Sequence, residues 1–468
     1  DAGDGEKVLR GVAPGQTSEL DTSEFGLLKG GKAIEPLILR ANAGDCINVD
    51  LWNRVPDVPE DITDPKTWSW NMMPPIVDGF GFNQVAAATT VGLSPQLVAL
   101  SAVQSDGATV GLNVPTVAFS CPPTGSVEGL VCQCPLEQAG PDYKACYRTA
   151  GDSDEIALQP GQFRWTNKRT LTWYAGDFGT TPSQQDRLAR PIEFGVIGLR
   201  DLADPIKASS HGTAGVLVIE PENATWETDC DILRDAGQGT APCLTAAATV
   251  TTPDAVPFRE FVLMYGNDAS MSYRGQPLAN LRNGDDAEDS GQKTFNYAFE
   301  PFWTRIGANP AADPDDMADV DYTNVLSSKP SDGYGDPETP LFTATAGTPV
   351  RLRVVHPAGH PRNSGFELAG HGWVSQPYAQ DSTVQSADPD RQHVEGVVNG
   401  MGPGRGVNIL LPSAGGQSEI AGDYLYRSHE GFAFSGGQWG LMRVLPKDAC
   451  AVGSRTTSDA LGRNVVCN

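Results

Sequence analysis

A strand pattern that occurs twice constrains this chain more than any other feature. EPLILRANAGDCINVDLWNR (35–54) is echoed by TPLFTATAGTPVRLRVVHP (339–357). Each holds a Pro-Leu, an alternating run, an Ala-Gly turn and a second run in which apolar and polar residues take turns. Alternation with period 2 is the signature of a strand with one buried face, and Ala-Gly supplies the turn. GTAGVLVIEP (212–221) is matched by GQWGLMRVLP (437–446): a small-residue turn, an apolar strand and a proline that ends it. A third echo is read between TLTWYAGDF (170–178) and GDYLYRSHE (422–430). The expectation is two homologous β-domains, about 20–225 and 255–447, followed by a tail at 448–468.

Composition agrees with an all-β chain. It has 468 residues, 52 of them glycine and 36 proline, which punctuate short Val/Ile/Leu/Thr runs. No stretch of about 20 apolar residues occurs, so no membrane span is expected. Two long polar insertions are expected at the surface: a cysteine-rich one at about 114–150 and an acidic one at about 280–335. The formal charge of −25 argues against nucleic acid as a partner, because phosphates call for Lys and Arg. It suits cations, basic partners or a salty medium, or simply solubility.

Eight of the nine cysteines fall in local groups: Cys121, Cys132, Cys134 and Cys146; Cys230 and Cys243; Cys450 and Cys467. Such groups in Pro/Gly-rich loops read as disulfides formed in an oxidising compartment. The Cys132-x-Cys134 spacing is too tight, and lacks the second knuckle, for a zinc site. Cys46, inside the strand pattern AGDCINVDLW, is expected as a buried free thiol. The polar start DAGDGEK reads as the product of processing, consistent with a secreted, extracellular or periplasmic protein. One glycosylation sequon occurs, at Asn223-Ala224-Thr225.

At the paired echoes, and at VGLSPQLVALSAVQSDGATVGLN, PIEFG and RVVHPAGHPRNSGFELAGHGW, the sequence resembles the multicopper oxidase-like family of tandem cupredoxins. The resemblance covers most of the chain outside the insertions and the tail. It implies two tandem cupredoxin-like Greek-key β-sandwich domains carrying long loop insertions. It also implies copper, and there this sequence departs from the family pattern. A blue-copper centre needs two imidazoles and a thiolate, with Met as a weak fourth ligand. Where the family carries His-Cys-His, this chain has Tyr424-Leu425-Tyr426, and no cysteine lies between Cys243 and Cys450. Met442 stands where an axial Met would be sought and reads as core. The family's trinuclear cluster takes about eight imidazoles from four His-x-His pairs. This chain has six histidines, His211, His356, His360, His371, His393 and His429, and no such pair. Ala369, Ser94 and Ala208 stand where the resemblance leads one to expect His.

What remains is a reduced site. His360, His371 and His429, with His356, are the residues that would hold a mononuclear Cu(II) or Zn(II) if their loops converge. The competing reading has His371 hydrogen-bonded inside the core and the others scattered on loops. Asp313, Asp315, Asp316, Asp319 and Asp321 form the one cluster that would suit calcium, although the glycine and terminal glutamate of an EF-hand are missing. GMGPGRG (400–406) reads as a turn cluster, because no helix pattern follows it. No nucleophile elbow, P-loop, dinucleotide fingerprint or haem motif is found.

Two functions follow from these residues. One is a copper-depleted structural or binding component of an extracellular assembly, with a protein partner or self-assembly through its edges and insertions. The other is a copper-dependent oxidoreductase with a reduced site, or half of a split oxidase. On the first reading, Tyr424 and Tyr426 fill the space of former ligands, with Trp439 packed behind.

Overall fold

In the computed structural model, residues 35–53, 88, 90–119, 126–127, 130–131, 145–146, 165–166, 168–177, 190–205, 212–239, 243–253, 255–269, 272–273, 276–277, 292–306, 321–359, 364–375 and 394–467 are described. The fold is an all-β sandwich architecture built from two pairs of sheets.

The first pair uses β1 (Leu37–Asn42), β2 (Cys46–Trp52), β3 (Ser94–Pro95), β4 (Ala99–Leu100), β5 (Lys168–Tyr174), β6 (Gly195–Arg200) and β7 (Ala214–Glu220). They lie in the orders β1-β7-β6-β3 and β2-β5-β4. The second pair follows β8 (Thr225–Thr228), helix α1 (Asp229–Asp235), β9 (Ala247–Thr251), β10 (Phe258–Ala269), β11 (Gln292–Phe295), helix α2 (Phe302–Arg305), β12 (Leu341–Thr345) and β13 (Val350–His356). It is completed by β14 (Ser364–Leu368), β15 (Val397–Met401), β16 (Arg405–Leu411), β17 (Gly422–Ser428) and β18 (Trp439–Leu445). One of its sheets runs β8-β9-β10-β13-β16 with β11 added on β10, and the other β12-β18-β17-β14-β15.

The first two sequence echoes occupy matching places. β1 runs parallel to β7, and β12 runs parallel to β18. All seven residues of β7 and all seven of β18 are buried, which is why both read as near-continuous apolar runs, broken only by Glu220 and Arg443, rather than alternating ones. The third echo does not correspond. The strand beside β18 that matches β17 in place is β6, beside β7. β5, which carries TLTWY, pairs instead with β2, as β16 pairs with β13. Short aromatic strands resemble one another wherever they lie, so a five-residue likeness does not fix a sheet position.

β7 faces two cores at once. Leu217 and Ile219 pack with Leu171, Trp173, Ile197 and Leu199 between the first two sheets. Val216 and Val218 pack on the other side with Phe261, Leu263, Phe342, Leu352 and Val354. Each such side chain contributes roughly 1.5–3 kcal/mol on burial. The layer between β7 and β10 is also crossed by charge. Arg40 Nη1 donates to Glu220 Oε1 (2.8 Å) and to Glu260. Arg353 Nε donates to Glu260 Oε2 (2.7 Å), and its Nη2 lies 3.6 Å from Glu220 Oε2. All four side chains are buried. Asn408 adds a polar stitch. Its Oδ1 accepts from Val196 N (3.0 Å) and Arg353 Nη1 (2.8 Å), and its Nδ2 donates to Phe194 O (3.1 Å). Gly195 sits at φ +66 with Asn408 Oδ1 only 2.1 Å from where a Cβ would be, so glycine is required there.

Part of the acidic stretch expected at the surface is core. Phe295 of β11 is fully buried against Tyr265 and Tyr426. Arg305 of α2 lies under the Trp439 ring, 5.0 Å from its centroid, and donates to Ser327 O and Gly335 O. The polar average of the segment hides the apolar run TFNYAFEPFW.

The tail folds back on the chain. β19 (Thr456–Ser458) and β20 (Asn464–Val466) form a hairpin closed by the Cys450–Cys467 disulfide. Val466 packs on Ile232 and Leu233 of α1, whose own end is held by Cys230–Cys243. Arg443 joins Asp336, Asp423 and Asp459 at 2.7–2.8 Å.

Candidate functional site

The histidine centre is best built from His371. β14 ends at Leu368, and Gly370 at φ +73 turns the chain so that the His371 ring points back beneath the 413–421 loop. Its Nδ1 lies 3.1 Å from Ala369 O, and a carbonyl only accepts, so Nδ1 carries the proton. Its Nε2 then accepts two backbone N–H groups, from Gly415 (3.2 Å) and Gly416 (3.1 Å). Tyr424 meets the ring edge-on at 4.7 Å. Burial pushes the imidazole pKa below its ordinary value, which favours the neutral form this network needs.

A metal takes a lone pair from a neutral ring nitrogen. In His371 one nitrogen donates and the lone pair of the other faces two amides, so the ring is fully engaged by backbone. His356, at the end of β13, is fully buried, with Nδ1 2.9 Å from Met401 O. Its own carbonyl accepts from Gly404 N at 2.7 Å. His429, after β17, is half exposed, and its Nδ1 lies 3.2 Å from Glu367 Oε2, which also binds Arg427. His360 lies outside the described residues, as do His211 and His393. Among the described residues, no three His, Cys, Asp or Glu side chains gather into a metal-holding group.

Of the candidate calcium residues, Asp313, Asp315, Asp316 and Asp319 lie outside the described residues. Asp321 is exposed, and its carboxylate accepts from the Thr323 amide at 2.8 Å and from the Thr323 hydroxyl at 2.5 Å, which hold its pKa below the usual range.

Tyr426 is fully buried, flanked by Phe295 at 5.5 Å and Phe342 at 5.7 Å, and its hydroxyl donates to Pro340 O. It sits over Gly440, where a Cβ would fall 2.2 Å from Oη. Tyr424 donates to Ile420 O at 2.7 Å, so both tyrosines on this face of β17 are hydrogen-bonded to backbone. Trp439 is buried, and its indole donates to Glu300 O at 2.8 Å.

Cys46 is exposed, not buried. β2 is an edge strand with its even-numbered residues facing out over Cys46–Asp50, and Cys46 falls on that side. Cys121, Cys132 and Cys134 lie outside the described residues, and no side-chain placement is described for Cys146.

Two features escaped the sequence reading. One is the Arg40–Glu220–Glu260–Arg353 cluster. In VLVIEP and FREFV these charges look like the polar half of an alternation or the end of a strand, and nothing local says that a second sheet covers them. The other is a cavity beside the 400–406 loop, lined by Gln96, Arg200 and Arg405 among others.

No family model matches the chain, and no curated protein matches it. Solved structures do. A copper nitrite reductase from Nitrosomonas europaea is 12% identical over 88% of this chain and 84% of its own, with a TM-score of 0.39. A multicopper oxidase is 12% identical over 88% of this chain and 79% of its own, with a TM-score of 0.37. The multicopper oxidase mgLAC is 9% identical over 88% of this chain and 77% of its own, with a TM-score of 0.39.

Proposed function

We propose that this chain is a copper-free member of the cupredoxin architecture, acting as a structural or binding component of an extracellular or periplasmic assembly. The observation that carries the reading is His371: its Nδ1–H is given to Ala369 O and its Nε2 lone pair to the Gly415 and Gly416 amides. A copper ion there would have to displace two amides and leave them buried without an acceptor, at roughly 1–3 kcal/mol each. His371 so placed has no lone pair left for copper, which supports the copper-free reading, and no catalytic step is assigned. Among the described residues, no free thiolate stands in this region for a blue-copper centre. Cys450 is held by Cys467, and the free Cys46 belongs to another sheet.

Two disulfides support an oxidising compartment. Among the described residues no helix is long and apolar enough to cross a membrane. The acidic surface suits a basic or cation-bridged protein partner, or further copies of the chain.

The test is elemental analysis of protein purified without added metal and again after incubation with Cu(II), read beside visible and electron paramagnetic resonance spectra. The reading expects no stoichiometric copper in either preparation. Stoichiometric copper that is lost in the His371→Ala variant would overturn it and restore the reduced-site oxidoreductase.

A further inference from the structure

The GMGPGRG loop left over from the sequence reading borders a cavity of about 640 Å³. Three pieces of chain border it and leave it open to solvent on one side: Pro95–Leu97 at the end of β3, Val196 and Arg200 of β6, and Gly400–Gly406 leading into β16. The walls pack closely where they meet. A Cβ on Gly404 would lie 3.1 Å from Gln96 Nε2, and one on Gly406 2.9 Å from Val196 O. The loop is fixed rather than floppy, because Gly404 N donates to His356 O at 2.7 Å and Arg405 N to Gly402 O at 3.1 Å.

The charge of the lining is what singles this cavity out. The chain carries 58 acidic and 33 basic residues, yet among the described residues of the lining the charged ones are Arg200 and Arg405. Arg405 Nη1 is anchored on Asn399 O (2.6 Å) and Gly400 O (3.1 Å), which orients the guanidinium and leaves its other N–H groups to give. Among the described residues, neither arginine has a carboxylate partner. Guanidinium forks match carboxylate and phosphate oxygens in pairs. The volume falls in the range of small-molecule sites and is far larger than one inorganic ion fills. Pro95, Leu97, Val196 and Pro403 supply apolar wall for the body of a ligand.

We propose that this cavity binds a small organic anion, with its carboxylate or phosphate groups held by Arg200 and Arg405 and its carbon skeleton against the Pro95, Val196 and Pro403 walls. Gln96 supplies a neutral hydrogen-bonding group on the same wall. The site does not depend on the copper-free reading above, since none of its residues is a candidate metal ligand.

The test is isothermal titration of the whole protein with phthalate, phenyl phosphate and inorganic phosphate at one fixed ionic strength. Saturable 1:1 binding of phthalate or phenyl phosphate is expected. It should weaken about tenfold or more in Arg200→Gln and in Arg405→Gln, and be only partly kept in Arg200→Lys, which retains charge but not the fork. The two arms separate a carboxylate from a phosphate ligand. Arg200 is exposed, so its variants should melt like the parent, and that melt is the control for folding. No saturable binding, binding unchanged in both variants, or inorganic phosphate binding as tightly as phenyl phosphate would each overturn the proposal.

Discussion

Replacing Glu220 by Gln should change how stability depends on pH. Glu220 and Glu260 are both buried and face Arg40 and Arg353, with Glu193 3.8 Å beyond Arg353. Burial and the neighbouring Glu260 push the Glu220 carboxyl up to about 8. Burial opposes ionisation of Glu260 as well, but Arg40 and Arg353 outweigh it and hold that carboxyl down to about 2. The opposite shifts are two sides of one coupled pair that keeps a single proton across this interval. For Glu260, whose folded value is depressed, the stabilisation is present above about 4.5 and is lost as pH falls toward 2. For Glu220, whose folded value is raised, it is present below about 4.5 and is lost as pH rises toward 8. The pair therefore stabilises the fold most near pH 4.5. On the alkaline side the loss runs at up to ~1.4 kcal/mol per pH unit, or about 3 kcal/mol by pH 7. Gln is neutral at every pH and presents an N–H where the protonated acid presents an O–H. The assay is urea unfolding of parent and Glu220→Gln, followed by tryptophan fluorescence, at several pH values between about 4.5 and 8. Taking the difference between the two proteins cancels the general repulsion of the acidic surface. The variant should gain about 3 kcal/mol on the parent between pH 4.5 and 7. A flat or falling difference would show that Glu220 does not hold the proton.

Three further outcomes are expected. His371 has a lowered pKa, so its two accepted amide bonds contribute stability above about pH 6.5 that is lost as pH falls below it; the hydrogen-exchange protection factors of Gly415 and Gly416, corrected for the intrinsic rate, should fall there, and His371→Phe should abolish the pH dependence at a cost of about 1–3 kcal/mol. Gly440→Ala places a Cβ 2.2 Å from Tyr426 Oη and 2.3 Å from Cζ, and should destabilise by about 1–3 kcal/mol in thermal melts, whereas an unchanged melt would mean the ring is not packed there. Cys230→Ser opens a disulfide that spans 13 residues and holds α1, and should cost about 3 kcal/mol in urea unfolding without changing the far-ultraviolet spectrum.

What the sequence revealed, and what it hid, follows from the reach of each signal. GVLVIE and WGLMRVL each carry a single charge, Glu220 and Arg443, in an otherwise apolar run, and both are strands covered on two sides, because burial on both faces leaves no alternating polar half to write. The two disulfides were readable for the same local reason: their partners lie 13 and 17 residues apart. His371 was weighed as a ligand and as a core residue, and the choice between them depends on amides 44 and 45 residues away. The same distance problem hid the buried charges, since Arg40 and Glu260 are separated by 220 residues. The burial expected of Cys46 fails because a strand pattern says which residues alternate but not which side is covered, and the edge position of β2 exposes the thiol.

The parallel pairing of β1 with β7 and of β12 with β18 also dictates an order of assembly. β1 waits for residues 214–220 before it has its neighbour, and β12 waits for 439–445, so each sandwich closes on a contact between distant parts of the chain. Closure of that kind makes folding slow. Until Glu260 and Arg353 arrive, a first sandwich that has already closed presents Val216 and Val218 to solvent beside two charges, Arg40 and Glu220, that lack half their partners. That face is the vulnerable surface of a half-synthesised chain, where association with other nascent copies competes with completion of the fold.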